Sequence, residues 1–173
     1  MSFVRKCLSY LDSFGVPYAH TVERLAWMVE EVVAEDMPAH LVAKTIVCEE
    51  DDRYLLVVIP ATWYLDVGRV SLARGATKVR MATEREIATL FPFGETGAIP
   101  PLGGLLDLPV YLDCQLANQE FIAFPAGSHR DLIHMKTTDF REIAAATIGS
   151  FGCCDYQAEF RKRFLALRKA AEA

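Results

Sequence analysis

The chain reads as a mixed α/β protein of the α+β type, a largely antiparallel or mixed sheet packed with short helices. Three observations predict this. Two β-rich runs, Leu41 to Cys48 and Tyr54 to Ile59, flank the acidic turn Glu49 to Arg53 and read as a hairpin. Further strand-like runs then come singly, between short helical stretches. No strand runs into a glycine-rich turn followed by a long helix, which disfavours a doubly wound nucleotide-binding fold.

Each element has its own local reason. Phe3 to Phe14 carries Val4, Cys7, Leu8 and Leu11 on one helical face, with Gly15 as its stop. Leu25, Met28, Val29, Val32 and Val33 recur at helical spacing before Pro38, an amphipathic helix. After the hairpin, Val67 to Arg74 reads as a short helix stopped by Gly75, and Lys78 to Met81 as a strand. Thr83 and Glu86 form a capping box for a helix ending at Leu90. Pro92 to Gly104 is loop, since seven of its thirteen residues are Gly or Pro. Strands follow around Leu108 to Asp113, Glu120 to Phe124 and Leu132 to Met135, and a helix from Thr138 to Ala146. Tyr156 to Ala171 is a further helix pattern, with Phe160, Phe164 and Leu167 on one stripe. Arg161, Lys162, Arg163, Arg168 and Lys169 surround that stripe.

Composition narrows the function classes. With 173 residues, 52% hydrophobic and 24% charged, the chain can bury one real core and is far from disorder. The net charge of −5 provides no global field for nucleic acid, so any RNA contact must come from a local basic patch. Residues 153 to 173 hold five basic and three acidic residues, against thirteen and twenty in the remainder, which makes the tail the one visible basic cluster. No run approaches the ~18 apolar residues of a membrane span, and no signal-peptide core opens the chain. Five scattered cysteines (Cys7, Cys48, Cys114, Cys153, Cys154) fit reduced thiols in the cytoplasm, and none is singled out as a nucleophile. His20, His40, His129 and His134 lack metal-site spacing, so no metal is expected.

Three features carry candidate chemistry. Lys44 interrupts the apolar strand Leu41 to Cys48. A lysine is almost never fully buried alone, so its stem snorkels to the sheet edge or its ammonium faces an anion pocket. The run Gly97-Ala98-Ile99-Pro100-Pro101-Leu102-Gly103-Gly104 is either a surface crossover or a rigid loop that presents backbone N–H groups to an oxygen. Phe124-Pro125-Ala126-Gly127-Ser128-His129 is a strand ending in a glycine turn that exposes a hydroxyl and an imidazole, unless His129 is simply a solvated surface residue.

The order of these elements resembles the YbaK/prolyl-tRNA-synthetase-associated family, the aminoacyl-tRNA editing (deacylase) domains. The matching segments are Ala43-Lys44-Thr45-Ile46-Val47, Val58-Ile59-Pro60-Ala61, Met81-Ala82-Thr83-Glu84-Arg85-Glu86 and Gly97-Ala98-Ile99-Pro100-Pro101-Leu102-Gly103. Leu108-Pro109-Val110-Tyr111-Leu112-Asp113, Phe124-Pro125-Ala126-Gly127-Ser128-His129 and Asp139-Phe140 complete the set, which spans about residues 10 to 145. Leu102 departs from the Phe found in many members, as does Leu105-Leu106-Asp107 from a Gly- and Tyr-rich stretch, so the amino acid recognised does not carry over.

The resemblance implies a YbaK-like editing domain over residues 1–148, with 149–173 as a helical extension. It implies hydrolysis, without metal or nucleotide cofactor, of the ester joining a wrong amino acid to the tRNA 3′ end. Lys44 and His129 would be catalytic, Lys44 binding the terminal phosphate or ribose and His129 lying near the ester carbonyl. Thr45, Gly97, Pro101, Gly103, Gly127 and Ser128 would bind substrate, with N–H groups of the loop and the Gly127 turn on the carbonyl oxygen. The expected partner is the acceptor end of a mischarged tRNA, in the cytoplasm and away from membranes. Outside the resemblance, the apolar stripe of the tail should dock on the body or on a second subunit, as in a homodimer, and Arg161, Lys162, Arg163, Arg168 and Lys169 would then face outward to hold the tRNA acceptor stem by phosphate contacts. An alternative from another class is a non-catalytic ligand- or RNA-binding regulatory module on the same fold.

Overall fold

A computed structural model describes residues 2–22 and 39–154. The helix predicted around Leu25 to Val33 and the one over Tyr156 to Ala171 lie outside the described residues.

The hairpin predicted from the apolar runs is the centre of the molecule. Strands β2 (Ala43–Glu50) and β3 (Arg53–Pro60) pair antiparallel along their whole length, from Ala43 opposite Pro60 to Glu50 opposite Arg53. The turn is tighter than the sequence suggests. Asp51 and Asp52 alone make it, at φ +47° and +65°, the two left-handed positions whose twist matches a two-residue hairpin. The Asp52 N–H donates to Glu49 Oε1 at 2.6 Å and holds the reversal.

Around the hairpin the chain lays down β1 (Tyr18–Val22), β4 (Trp63–Leu65), β5 (Val79–Met81), β6 (Val110–Asp113), β7 (Phe121–Pro125), β8 (Asp131–Lys136), β9 (Thr147–Gly149) and β10 (Gly152–Cys154). The main sheet has the order β5-β2-β3-β6-β9. Its β3–β6 and β6–β9 pairs are parallel and the rest antiparallel, a mixed sheet as expected. A second sheet, β1-β8-β7, is antiparallel, and a parallel bridge from Val42 to Ala123 ties it to the start of β2. β10 pairs with β4, so strand pairing runs on past Gly149 to Cys154.

Helices cover both faces. They are α1 (Phe3–Asp12), α2 (Val67–Arg74), α3 (Glu84–Leu90), α4 (Gly103–Leu106), α5 (Cys114–Ala117) and α6 (Thr137–Ala144). Period-two alternation in β2 and β3 sorts the core into two clusters. Ala43, Val47, Leu56 and Val58 face the larger one, with Cys7, Leu11, Ile99, Leu102, Phe124, Ala126 and Phe140. Cys48, Leu55, Val57 and Ile59 face the smaller one, with Val70, Tyr111 and Phe151. The fully buried Asp113 joins β6 to the β9–β10 connection, accepting N–H bonds from Phe151 (2.8 Å) and Gly152 (2.9 Å). Among the described residues, no helix is long and apolar enough to cross a membrane.

The capping box predicted at α3 is present and extended. Glu86 accepts from the Thr83 N–H at 2.8 Å, and Arg80 reaches it from β5 at 2.7 and 2.8 Å. Arg80 first, and then the Thr83 backbone and hydroxyl, hold the Glu86 carboxyl well below its ordinary value of 4.5. A depressed carboxyl stabilises the fold above its unfolded pKa and loses that contribution as pH falls through the folded one. Melting curves of wild type and Glu86→Gln should therefore be furthest apart near neutral pH and converge on acidification below 4.5. A gap that stays constant down to about pH 2 would contradict this assignment.

The cysteines divide by environment. Burial pushes the thiols of Cys7 and Cys48 up to about 12, whereas Cys154 is exposed. Iodoacetamide on the native protein should label Cys154 and spare Cys7 and Cys48 until the chain is unfolded, as read by peptide mass spectrometry. Native labelling of Cys7 or Cys48 would contradict the core described above.

Candidate functional site

β7 must reverse into β8 between Pro125 and Asp131, and the residues there are chosen for that reversal. Gly127 sits at φ +95°, where a side chain is strained, and a Cβ added there would stand 2.3 Å from Phe3 Cδ1 of α1. Ser128 Oγ donates to Asp131 Oδ2 at 2.5 Å and accepts the N–H groups of Arg130 and Asp131 at 3.1 and 3.2 Å. Asp131 Oδ1 is bonded in turn to His20 Nε2 at 2.7 Å. The Ser128 hydroxyl therefore builds the turn.

The loop before Pro100 docks onto this turn through a short ladder. The Glu95 N–H donates to Gly127 O at 3.0 Å, and the Gly127 N–H donates to Ala98 O at 2.9 Å. The Ala98 N–H closes the loop on Glu95 O at 3.0 Å. Two expected substrate-binding glycines thus meet, but the Gly127 N–H is already committed within the ladder. The N–H groups of Gly97 and Ser128 make no hydrogen bond to another described residue, so they replace Gly127 as the candidate donors to an oxygen.

His129 is the residue that loop and turn hold in common. Its backbone N–H donates to Glu95 Oε2 at 2.7 Å, and its ring Nε2 lies 2.8 Å from Thr96 O. A carbonyl oxygen only accepts, so Nε2 carries a proton, and the neutral form of such a ring has its lone pair on Nδ1. That Nδ1 is buried and has no partner among the described residues. Gly97, at φ +85°, lies flat against the ring, and a Cβ there would stand 3.3 Å from His129 Cε1. His129 is therefore a positioned imidazole.

Lys44 and Thr45 come from the start of β2, two and three residues after the bridge that joins Val42 to Ala123. Strand alternation sends them to opposite faces. Thr45 shares the face of Ala43 and Val47, the face packed with Ile99, Leu102, Phe124 and Ala126. Its Oγ1 is buried without a partner among the described residues. Lys44 shares the face of Ile46 and Cys48, and its ammonium lies 5.5 Å from the centroid of the half-exposed Tyr64 ring. An ammonium over an aromatic ring is a cation–π contact.

Pro101 and Gly103 are buried supports of the loop. A Cβ on Gly103 would stand 2.3 Å from Leu108 O, so that glycine allows two backbones to touch. Among the described residues, no group of three His, Cys, Asp or Glu could hold a metal ion. A cavity of about 480 Å3 opens elsewhere, lined by Trp63, Asp66, Arg69, Gln115 and Cys153 among others, and contains none of the expected site residues. Sequence reasoning missed Glu95, Thr96, Asp131 and Phe3. The first two immediately precede Gly97, a position that marks them, but nothing in the sequence pairs them with a histidine more than thirty residues away.

Comparisons with known proteins agree with this architecture. The family model of the aminoacyl-tRNA editing domain matches residues 17–143. No curated protein matches the chain. Among solved structures, one described as "a putative trans-editing enzyme for prolyl tRNA synthetase" superimposes with a TM-score of 0.77 at 20% identity. That alignment covers 88% of this chain and 98% of the other. The hypothetical protein APE2540 gives a TM-score of 0.77 at 18% identity, covering 86% and 99%. A scaffold from computational epitope grafting gives 0.78 at 19%, covering 88% and 98%. At such identities these structures bear on the fold alone, whereas the family match takes in most of the sequence, including the hairpin, the Gly-Pro loop and the turn that holds His129: the chain belongs to the aminoacyl-tRNA editing domain family.

Proposed function

We propose that the protein is a free-standing deacylase that hydrolyses the ester between a wrong amino acid and the 3′ end of its tRNA. The observation that carries this reading is His129, clamped between loop and turn with Nε2 on Thr96 O and a lone pair left on Nδ1. In the reaction, water adds to the ester carbonyl, the bond to the ribose oxygen breaks, and free amino acid and a 3′-hydroxyl leave. His129 Nδ1 is covered in the free protein, so substrate binding uncovers it before it accepts a proton from the attacking water or orients it, and the ribose oxygen is released as a hydroxyl. The N–H groups of Gly97 and Ser128 stabilise the developing oxyanion. Because an aminoacyl ester is activated, positioning and oxyanion stabilisation suffice without a metal or a covalent nucleophile.

Lys44 serves the other end of the substrate. Its ammonium, beside Tyr64 and on the face opposite Thr45, binds the terminal phosphate or ribose, while Thr45 faces the cluster beneath the Gly-Pro loop. Rejection of the cognate amino acid rests on size, as a sieve. Such an enzyme works in the cytoplasm, where aminoacyl-tRNA is used.

The test is incubation with a panel of mischarged tRNAs, scored for released amino acid with and without EDTA. Release from a restricted subset, indifferent to the chelator, is the expected result. Binding without release from any member would instead identify a non-catalytic module. On the tRNA so identified, Lys44→Ala should abolish turnover with an unchanged melting temperature, and Lys44→Arg should also be poor, since a planar fork replaces a point charge. Wild-type turnover in Lys44→Ala would remove the residue from the site. His129→Ala should lower kcat by ~10²-fold, the range of a lost acid–base or orienting group. An unchanged rate would leave His129 as a structural link between loop and turn.

A further inference from the structure

Resting on that reading, we infer that Glu95 is a positioning residue for His129: its carboxylate, together with the adjoining Thr96 carbonyl, holds the imidazole in the single tautomer that keeps Nδ1 as an acceptor. His129 lies in a short connection between two strands, where an imidazole ordinarily samples several orientations and exchanges its proton between nitrogens. Two bonds from consecutive residues remove that freedom. Glu95 Oε2 takes the backbone N–H of His129 at 2.7 Å and sets the position of its Cα. Thr96 O takes the ring Nε2–H at 2.8 Å and sets both the ring orientation and the site of the proton.

Glu95 is suited to this because it grips the turn twice, through its N–H on Gly127 O at 3.0 Å and through its carboxylate on the His129 N–H. Its carbonyl receives the Ala98 N–H at 3.0 Å within the loop, so the backbone that carries both it and Thr96 is already registered on the turn. The side-chain bond then brings His129 within reach of the Thr96 carbonyl. Gly97 completes the arrangement by presenting no side chain that would displace the ring. Removing only the carboxylate leaves the backbone bonds in place, so the loop stays docked while the histidine loosens. Glu95 touches no reacting atom in this account and acts through His129.

The experiment uses the full chain with Glu95→Ala and Glu95→Gln. It reads kcat and KM on the tRNA found in the panel, and the ring 15N spectrum of His129 without substrate. The wild-type ring should show one tautomer, protonated on Nε2. In Glu95→Ala the spectrum should become a tautomer mixture, with kcat down about tenfold and KM unchanged, as for loss of one positioning hydrogen bond. Glu95→Gln retains an oxygen that accepts the same N–H, so it should restore both readouts. It also keeps the question decidable should the alanine variant fail to fold. A wild-type ring protonated on Nδ1, a Glu95→Ala enzyme with wild-type spectrum and kcat, or an effect confined to KM would each overturn the assignment. If the wild type deacylates no tRNA, the functional reading fails by itself, and the ring spectrum alone decides the role of Glu95.

Discussion

The site depends on one constraint, the docking of the loop before Pro100 onto the turn after Pro125. The ladder is short, with one bond from Glu95 to Gly127, one back from Gly127 to Ala98, and one that closes the loop on itself. Each partner needs a left-handed glycine to make the approach, Gly97 at φ +85° and Gly127 at φ +95°. Neither segment is a regular element, and each has internal bonds that shape it, Ser128 with Asp131 in the turn and Ala98 with Glu95 in the loop. Backbone groups left unpaired at the contact between them would cost about 1–3 kcal/mol each. The contact therefore fixes how the loop sits on the turn, and His129 is carried along. Phe3 packs close to Gly94 and Gly127 from outside, which extends the constraint to the N-terminal helix.

The sheet adds a division of labour. Because β2 alternates, Lys44 and Thr45 cannot serve the same surface, although they are neighbours. The larger core cluster, with the Gly-Pro loop over it, lies on the side of Thr45. The cation and the half-exposed Tyr64 ring lie on the side of Lys44. For a substrate made of a small amino acid and a long anionic polymer, that separation is physically sensible. An apolar end suits the first, and a half-buried cation beside an aromatic ring suits the second. The Val42–Ala123 bridge places the start of β2 next to the strand that delivers the turn.

The elements legible in the sequence were those with strong local reasons. The hairpin, the Val67–Arg74 helix with Gly75 at φ +62°, and the Thr83–Glu86 box all stand as expected, because each is decided within a few residues. β1, β4, β9 and β10 were not legible, and these strands exist because a partner fixed elsewhere pairs with them. The site divides along the same line. The glycines, the lysine and the histidine could be named from sequence, since their chemistry is written in their side chains. Which N–H groups remain available could not, because the ladder that consumes the Gly127 N–H is tertiary. Nor could the work of the Ser128 hydroxyl, which is spent on Asp131, or that of Glu95.

The central claim is that the docked loop and turn, with Lys44 at the edge, form the surface that meets the aminoacyl end of tRNA. The direct test is to titrate 15N-labelled protein with a 3′-aminoacylamino adenosine, in which an amide replaces the labile ester, and to map the shifted backbone amides. The account predicts shifts concentrated at Lys44, Thr45, Gly97 and the Gly127–His129 turn, with Gly97 and Ser128 moving most as their N–H groups find an acceptor. Shifts centred instead on the cavity lined by Trp63, Arg69 and Cys153, with the loop and turn unmoved, would contradict it.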